Sequence, residues 1–238
     1  MPYALALEGG GGRGSFHIGV WKALRELGME ITAVTGTSVG ALNGALIALG
    51  KYDEAIELWS NIQTKDVLDV NDEIFNELLH GKRKLDSIES YISFLKDIFD
   101  HKGLNITPLK NMITKYMDED ELRKSPIDFG FVTVSITDRK PLEVYVEEIA
   151  EGKIQDYLLA SSCLPVFQSE ELDGKHFIDG CFFDNLPIHL LVKKKYKKII
   201  AVHLNGFGLK QKVKEDELEM IHIYPSGKLG SSLLFHPS

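Results

Sequence analysis

Cysteines, basic residues and long apolar runs are all scarce in this sequence. Two cysteines among 238 residues do not make a disulfide framework, and a zinc cage needs more ligands. Acidic residues outnumber basic ones 35 to 27, a net charge of −8. That excess argues against a nucleic-acid binder, which needs a basic face. No run approaches the roughly 20 apolar residues of a transmembrane helix, and the N-terminus lacks the basic segment that begins a signal peptide.

The composition is that of a globular protein. Hydrophobic residues make up 44% of the chain and charged residues 26%, which excludes wholesale disorder. A chain of this length suits one large domain or at most two small ones. We expect a single domain over residues 1–238, in a reducing, cytoplasmic compartment.

Apolar runs and helical periodicity alternate at the start of the chain. A short apolar run at 3–7 precedes a glycine cluster and a helix at about 15–28, with Gly28 as its C-cap. A β-branched run at 31–35 then precedes a helix at 39–49. This alternation predicts an α/β fold, a three-layer sandwich with a mostly parallel central sheet and helices on both faces.

The middle of the chain, about 51–125, is charged and predominantly helical in pattern. Apolar periodicity marks 53–62, 72–80 and 86–99, and a further helix is predicted with Thr107 as N-cap and Pro108 at its first position. These helices either pack on the sheet or form a helical insertion that caps a site.

Strand patterns return after residue 125. The predicted elements are a hairpin of 127–136 and 142–147 around Asp138-Arg139, a helix at 153–160, a strand at 176–178, a helix at 186–195, and strands at 199–204 and 220–224. The last residues resemble the start of another element, which favours a chain truncated at its C-terminus.

A serine between glycines follows the second predicted strand. Gly36-Thr37-Ser38-Val39-Gly40 fits the pattern G-x-S-x-G, with a helix after it. In a nucleophile elbow the serine occupies a tight strand-to-helix turn, and the small neighbours permit the strained backbone. The helix N-terminus offers N–H groups to a developing oxyanion. The alternative is a glycine-bounded helix start with Ser38 as N-cap, but the strand and helix context favours the elbow.

A second glycine motif, Glu8 to Gly14 with the sequence EGGGGRG, follows the first predicted strand. Its spacing matches the dinucleotide fingerprint G-x-G-x-x-G, which requires an acidic residue at the end of the second strand. Residues 34–38 contain no acid, so nucleotide binding is disfavoured. A P-loop is excluded because no Gly-Lys-Ser/Thr follows.

The remaining interpretation of the glycine motif is an oxyanion hole. Parallel strands of one βαβ unit place both turns at the same sheet edge, so the glycines would face Ser38. Arg13 would orient this loop or add positive charge, or it is a surface cation or a member of a structural ion pair.

An aspartate followed by glycine, Asp179-Gly180-Cys181, ends a predicted strand. Asp179 is either a general base for Ser38, 141 residues earlier, or an Asx-turn residue. A conventional triad would use a histidine, and the candidates after Asp179 are His189, His203, His222 and His236. None of them lies in a glycine-rich or loop-tip setting, and His17 on the first helix is explained by helix packing.

Together these motifs resemble the patatin-like phospholipase family of acyl hydrolases. The family's glycine-rich loop matches Glu8 to Gly14, with Glu8 in place of the usual aspartate. Its Gly-x-Ser-x-Gly elbow matches Gly36 to Gly40, and its Asp-Gly-Gly/Ala motif matches Asp179 to Cys181, where Cys181 replaces a smaller residue. Two further segments agree with the family, 160–165 and 185–187.

The resemblance implies a Ser–Asp dyad without histidine, in which Ser38 is the nucleophile and Asp179 the base. It implies an oxyanion hole at Gly10, Gly11, Gly12 and Arg13, and motif glycines at Gly9, Gly14, Gly36, Gly40 and Gly180. The substrate would be a lipid or phospholipid ester, hydrolysed by phospholipase A-type or lysophospholipase/esterase activity. No metal or cofactor is implied, and transient contact with a membrane surface is expected.

The apolar channel that such a substrate needs has candidate lining residues in the middle helices. They are Phe75, Leu78, Leu79, Ile88, Tyr91, Ile92, Phe94, Leu95 and Phe99, although core packing explains most of them as well. A basic run at 193–198 is better explained as a solvated helix end than as a site for anionic head groups. Two other functions stay open: an esterase with a Ser-Asp-His triad, and a non-catalytic nucleotide- or anion-binding module.

Overall fold

The first part of the chain forms the alternating unit that its apolar runs predict. In this computed structural model, which describes residues 2–69, 103–168, 170–231 and 234–235, β1 (Tyr3–Leu7) leads through the glycine loop to α1 (Ser15–Glu26). Next come β2 (Ile31–Thr37) and α2 (Val39–Ala48). Because β1 and β2 are parallel, the turns that follow them lie at one edge of the sheet.

The remaining described elements follow the predicted order, with a helix at Glu119–Lys124 and a strand at Glu171–Leu172 that the sequence pattern did not predict. They are α3 (Tyr52–Asn61), α4 (Thr107–Tyr116), α5 (Glu119–Lys124), β3 (Asp128–Ser135), β4 (Lys140–Tyr145), α6 (Ile154–Ser161), β5 (Glu171–Leu172), β6 (Lys175–Asp179), α7 (Ile188–Lys193), β7 (Lys198–Val202) and β8 (Glu219–Ile223). Short 3-10 turns occur at Gly11–Gly14, Thr64–Asp66, Val146–Glu148 and Gly180–Phe182.

One mixed, mostly parallel sheet forms the centre of the fold. Its strand order is β5-β6-β3-β2-β1-β7-β8, and β4 also pairs with β3. Strands β3, β2, β1, β7 and β8 run parallel to one another, whereas β4 and β6 run antiparallel to β3. The predicted hairpin around Asp138-Arg139 is therefore confirmed as β3–β4.

Helices cover both faces of the sheet, and β1 shows how its sequence specifies this. Side chains of a strand alternate between faces. Leu5 and Leu7 belong to the large core shared with α1, α2 and α3, and full burial of such a leucine contributes about 1.5–3 kcal/mol. Ala4 and Ala6 belong to the opposite core, which contains Leu191 of α7. These small side chains leave room for α7 to pack closely on the sheet.

Some predicted boundaries shift for local reasons. Thr107 is the first residue of α4 and not its N-cap, which is Ile106; the Asn105 side chain accepts the Thr107 N–H at 2.9 Å. The strand predicted at 199–204 ends at Val202, because the N–H of Leu204 donates to the Glu8 carboxylate at 2.6 Å and not to another strand.

The helices predicted at 72–80 and 86–99, and with them the candidate channel residues from Phe75 to Phe99, lie outside the described residues. The role of 51–125 as an insertion or cap therefore stays a prediction. None of the helices in the described part of the chain has the length and apolar character needed to traverse a bilayer.

Candidate active site

Ser38 occupies a strained turn between β2 and α2. Its backbone has φ 56° and ψ −128°, a conformation that a non-glycine residue adopts at a cost of about 1–3 kcal/mol and that is found mainly at functional sites. Ser38 occupies the N-cap position of α2, but its side chain makes no capping hydrogen bond, so capping does not account for its hydroxyl. The main-chain N–H of Ser38 donates to Ser161 Oγ at 3.1 Å, which holds the turn.

The two glycines that flank Ser38 are required by close backbone packing. A Cβ at Gly36 would lie 2.2 Å from the carbonyl oxygen of Gly40, and a Cβ at Gly40 would lie 2.3 Å from the carbonyl oxygen of Leu7. Both distances are far inside van der Waals contact, so only glycine allows α2 to start against the ends of β1 and β2.

The glycine loop after β1 lies beside Ser38. Gly9, Gly10 and Gly11 line the same cavity as Ser38, and a Cβ at Gly9 would come 3.2 Å from Ser38 Cβ. Within the described residues, no acceptor is found for the main-chain N–H groups of Gly10, Gly11 and Gly12. A row of free N–H groups next to a serine is suited to bind an anion.

The end of the glycine loop has a supporting role. Gly12 is not among the described lining residues, and a Cβ there would lie 2.3 Å from the carbonyl oxygen of Leu234. The N–H of Arg13 donates to the Gly10 carbonyl at 3.3 Å, and its guanidinium donates to the Asn205 carbonyl at 2.6 Å. Arg13 therefore ties the loop to the C-terminal segment, and it is not among the described residues that line the cavity.

Asp179 ends β6 with its carboxyl buried next to Ser38. Its side chain is 1% exposed. Burial raises the pKa of Asp179 to about 6, and the nearby N–H of Cys181 and hydroxyl of Ser38 oppose that shift. Oδ1 accepts the Cys181 N–H at 2.8 Å, whereas Oδ2 has no aligned hydrogen bond within the described residues. Oδ1 thus makes the contact expected of an Asx turn, whereas Oδ2 is the oxygen that the general-base interpretation needs.

One strand sets the distance between the serine and the aspartate. Thr37, the residue before Ser38, pairs with Val132 of β3. Asp179 pairs with the next residue of β3, Thr133. Residues separated by 141 positions in sequence thus lie two strands apart, on either side of β3.

Gly180 and Cys181 shape the turn after Asp179. A Cβ at Gly180 would lie 2.2 Å from the carbonyl oxygen of Val132, so glycine is required there. The Cys181 side chain is buried in the cavity wall. Burial and the neighbouring Asp179 carboxyl raise the pKa of its thiol far above the usual range. Cys181 is therefore a neutral thiol that fits the space without turning Asp179 away from the cavity.

No histidine lines the cavity in the part of the chain that the structure describes. His189 faces Asp184, with 2.7 Å between Nδ1 and Oδ2. His203 and His222 face each other at 2.9 Å. His236 lies outside the described residues. The described histidines are thus engaged elsewhere, which disfavours the Ser-Asp-His triad.

Two asparagines that sequence reasoning did not single out also line the cavity. Asn185 Nδ2 donates to the carbonyl oxygens of Gly9 at 3.1 Å and Phe207 at 3.0 Å. Asn43 Nδ2 donates to the Gly14 carbonyl at 2.9 Å, and its Oδ1 accepts from Trp59 Nε1. Both asparagines hold the glycine loop from below. The segment 185–187 carried a family signal for the first, but nothing in the sequence marked the second.

A buried carboxylate and a buried imidazole complete the support of the loop. Glu8 is fully buried and accepts the N–H of Leu204 at 2.6 Å and of Gly206 at 3.2 Å. Lys210 pairs with it at 2.8 Å. His17 is also buried, and burial lowers its pKa to about 3, so the ring is neutral. These groups fix the loop without reaching the cavity.

The site opens into a cavity of about 270 Å³ with mostly apolar walls. Ser38, Asp179 and the glycine loop form its polar end. The described apolar lining comes from α2, α3, α4 and adjoining segments: Leu42, Leu46, Leu58, Trp59, Ile62, Val67, Leu68, Leu109, Met112, Ile113, Tyr116, Met117, Leu164, Phe167 and Phe235. A serine hydroxyl, a buried carboxyl and main-chain N–H donors beside an apolar cavity are the groups that acyl transfer on an apolar substrate needs.

Comparison with protein families gives a match over most of the chain. The family model described as patatin-like phospholipase matches residues 5–192. An uncharacterized NTE family protein of Mycobacterium tuberculosis is 28% identical over 206 residues, covering 85% of this chain and 49% of that protein. Lysophospholipase NTE1 of Mycosarcoma maydis is 27% identical over 209 residues, covering 87% and 10%.

Human patatin-like phospholipase domain-containing protein 6 is 28% identical over 210 residues, covering 85% of this chain and 13% of that protein. The chain thus spans about half the length, or less, of these curated relatives. Among solved structures, VipD from Legionella pneumophila has a TM-score of 0.52 at 15% identity, covering 93% of this chain and 49% of that one. That likeness concerns the fold.

Proposed function

Because the chain belongs to the patatin-like phospholipase family, we propose that it is a lipid acyl hydrolase in which Ser38 is the nucleophile and Asp179 the base. One observation carries the proposal: the strained Ser38 turn lies against the buried Asp179 carboxyl, whose Oδ2 has no aligned partner within the described residues. Relatives named as lysophospholipase and phospholipase-domain proteins support a lipid ester as substrate.

The reaction begins with proton transfer from Ser38 Oγ to Asp179. With a pKa of about 6, the carboxyl is ionised at neutral pH and is a stronger base than an ordinary aspartate. Oγ attacks the ester carbonyl carbon and forms a tetrahedral intermediate. Asp179 then returns the proton to the leaving alcohol, and an acyl-enzyme remains on Ser38.

The oxyanion of the intermediate is bound by main-chain donors. The N–H groups of Gly10 and Gly11, which have no acceptor within the described residues, donate hydrogen bonds to the oxyanion from one side. The N–H groups at the N-terminus of α2 donate from the other side. Loss of one such donor typically raises the barrier by roughly 3–4 kcal/mol. Water activated by Asp179 hydrolyses the acyl-enzyme and releases the fatty acid.

The labelling test uses a fluorophosphonate probe, which forms a covalent bond with activated serines. The wild-type protein is expected to label, and Ser38→Ala to remain unlabelled. Asp179→Asn should label far more slowly. Ser60→Ala, which changes an exposed serine on α3, is the matched control and should label normally. Labelling that persists in Ser38→Ala would refute the assignment.

A second measurement addresses the histidine alternative. Each of His189, His203, His222 and His236 is replaced by alanine, and hydrolysis of a soluble ester is followed. The dyad predicts that all four proteins remain active. Loss of turnover in one of them, with its fold intact by circular dichroism, would favour a triad.

We infer that the cavity mouth contacts the membrane surface in which lipid substrates reside. Phe207 lines the cavity and yet is 81% exposed, and Leu209 beside it is 62% exposed. The ring of Phe182 lies 6.3 Å from that of Phe207. Phe207→Ser should reduce cosedimentation with phosphatidylcholine vesicles, whereas Leu27→Ser, at an equally exposed leucine far from the mouth, should not. Equal binding by both proteins would contradict the inference.

A further inference from the structure

The proposed function leaves the acyl chain without an assigned place. We propose that one acyl chain lies between α2 and α4 and that Leu46, Ile113 and Met117 terminate it, so that these residues set the longest chain accepted. This rests on the proposed function for its chemistry, but the binding site itself is argued from the helices.

Helix α2 carries the residues that define the direction of the channel. Ser38, Leu42 and Leu46 are spaced four residues apart, which places them on one face of the helix. All three line the cavity. With a rise of 1.5 Å per residue, Leu42 lies about 6 Å and Leu46 about 12 Å from Ser38 along the axis. The face that leads away from the nucleophile is thus an apolar track.

Helix α4 forms the opposite wall and points the same way. Before its first turn, the N–H of Leu104 donates to the Val166 carbonyl at 2.8 Å, next to Phe167, which lines the cavity. At its other end, the Tyr116 carbonyl accepts from Lys51 Nζ at 3.3 Å, just beyond the end of α2. The far ends of the two helices therefore meet, and the near ends flank the polar end of the cavity.

In the part of the chain that the structure describes, packed side chains lie at the far end of this channel. Leu46, Ile113 and Met117 line the cavity there and are 1%, 2% and 3% exposed. Lys51 also pairs with Glu121 of α5 at 3.0 Å, which joins the helices behind them. A chain that reaches this end meets a packed interior, in which extra volume is poorly tolerated.

The wall chemistry suits a hydrocarbon chain. Apart from the polar end, where Asn43, Ser162, Cys181 and Asn185 also line the cavity, the described lining consists of aliphatic, methionine and aromatic side chains. Each methylene that such a wall buries is expected to raise kcat/KM roughly fourfold until the chain reaches the closed end. Beyond that length the gain stops and kcat/KM falls.

The test measures kcat/KM for p-nitrophenyl esters from butanoyl to palmitoyl. Three substitutions narrow the channel: Leu42→Phe near Ser38, and Leu46→Phe and Met117→Phe at the far end. Each should lower the ratio of long-chain to short-chain kcat/KM at least tenfold. The longest acyl chain accepted should be shortest in Leu42→Phe. It should be longer, and equal, in Leu46→Phe and Met117→Phe. Leu27→Phe, a matched change at an exposed position, should leave the profile unchanged.

A binding measurement makes the result independent of catalysis. Calorimetric titration of the Ser38→Ala protein with fatty acids of increasing length should show affinity rising and then levelling at one chain length. Leu42→Phe and Leu46→Phe in the same background should move that length down in the same order. The channel would be refuted if fatty acids do not bind, or if the limiting chain length does not depend on which residue is replaced. Ordered cutoffs without hydrolysis by the wild type would overturn the proposed activity alone.

Discussion

Asp179→Asn should make the protein more stable at neutral pH while abolishing its proposed activity. Burial raises the pKa of Asp179 from 3.8 to about 6, so between these two pH values the folded state holds a proton that the unfolded state has lost, and above them both states are ionised. The stability from this site is complete below the unfolded pKa and is lost as pH rises through about 6. A shift of roughly two units corresponds to about 3 kcal/mol. Asparagine has no charge to bury and avoids that loss.

The assay compares urea unfolding of both proteins between about pH 4 and pH 8. The free energy of unfolding of Asp179→Asn minus that of the wild type should increase with pH by about 3 kcal/mol and level off above pH 6. Other titrating groups, such as His17, contribute equally to both proteins and cancel. Asp216→Asn, at an exposed aspartate, is the matched control. A difference that does not depend on pH would refute the claim that Asp179 is a buried base.

The remaining predictions concern backbone strain, glycine packing and loop support. The free energy of unfolding of Ser38→Gly, measured with urea, should exceed that of Ser38→Ala by about 1 kcal/mol, because glycine adopts the strained turn freely. Equal free energies would contradict the claim that the Ser38 backbone is strained. Gly36→Ala should lower stability by several kcal/mol, whereas Gly19→Ala in α1, where a Cβ meets nothing within 4 Å, should raise it by about 0.5–1 kcal/mol; similar thermal shifts would refute the packing argument. Asn43→Ala removes a donor to the Gly14 carbonyl and should lower stability by about 1–3 kcal/mol with slower fluorophosphonate labelling; unchanged labelling would separate Asn43 from the loop.

The parts of the site that the sequence predicted are those governed by local chain geometry. The Ser38 turn needs glycines within two residues on either side, and a βαβ unit brings two successive turns to one edge of the sheet. Asp179 was predicted because a serine nucleophile needs a base and the family resemblance supplied its position.

Contacts between distant segments were not predictable. Asn43 faces inward on a helix, and nothing in its local sequence distinguishes it from a solvent-exposed polar residue. Ser161 supports Ser38 from 123 positions away. Much of the apolar lining of the described cavity comes from α2, α3 and α4. Sequence alone could not select these residues, because only the packed arrangement decides which apolar side chains border empty space and which fill the core.

The alignment of Ser38 and Asp179 through β3 has a consequence for how such a protein diversifies. The stretch between α2 and β3 contributes much of the described apolar wall but contains neither Ser38 nor Asp179. We expect insertions in that stretch to change which apolar ligands fit the cavity, while β2, β3 and β6 keep Ser38 and Asp179 in place. One part of the fold can therefore vary independently of the other.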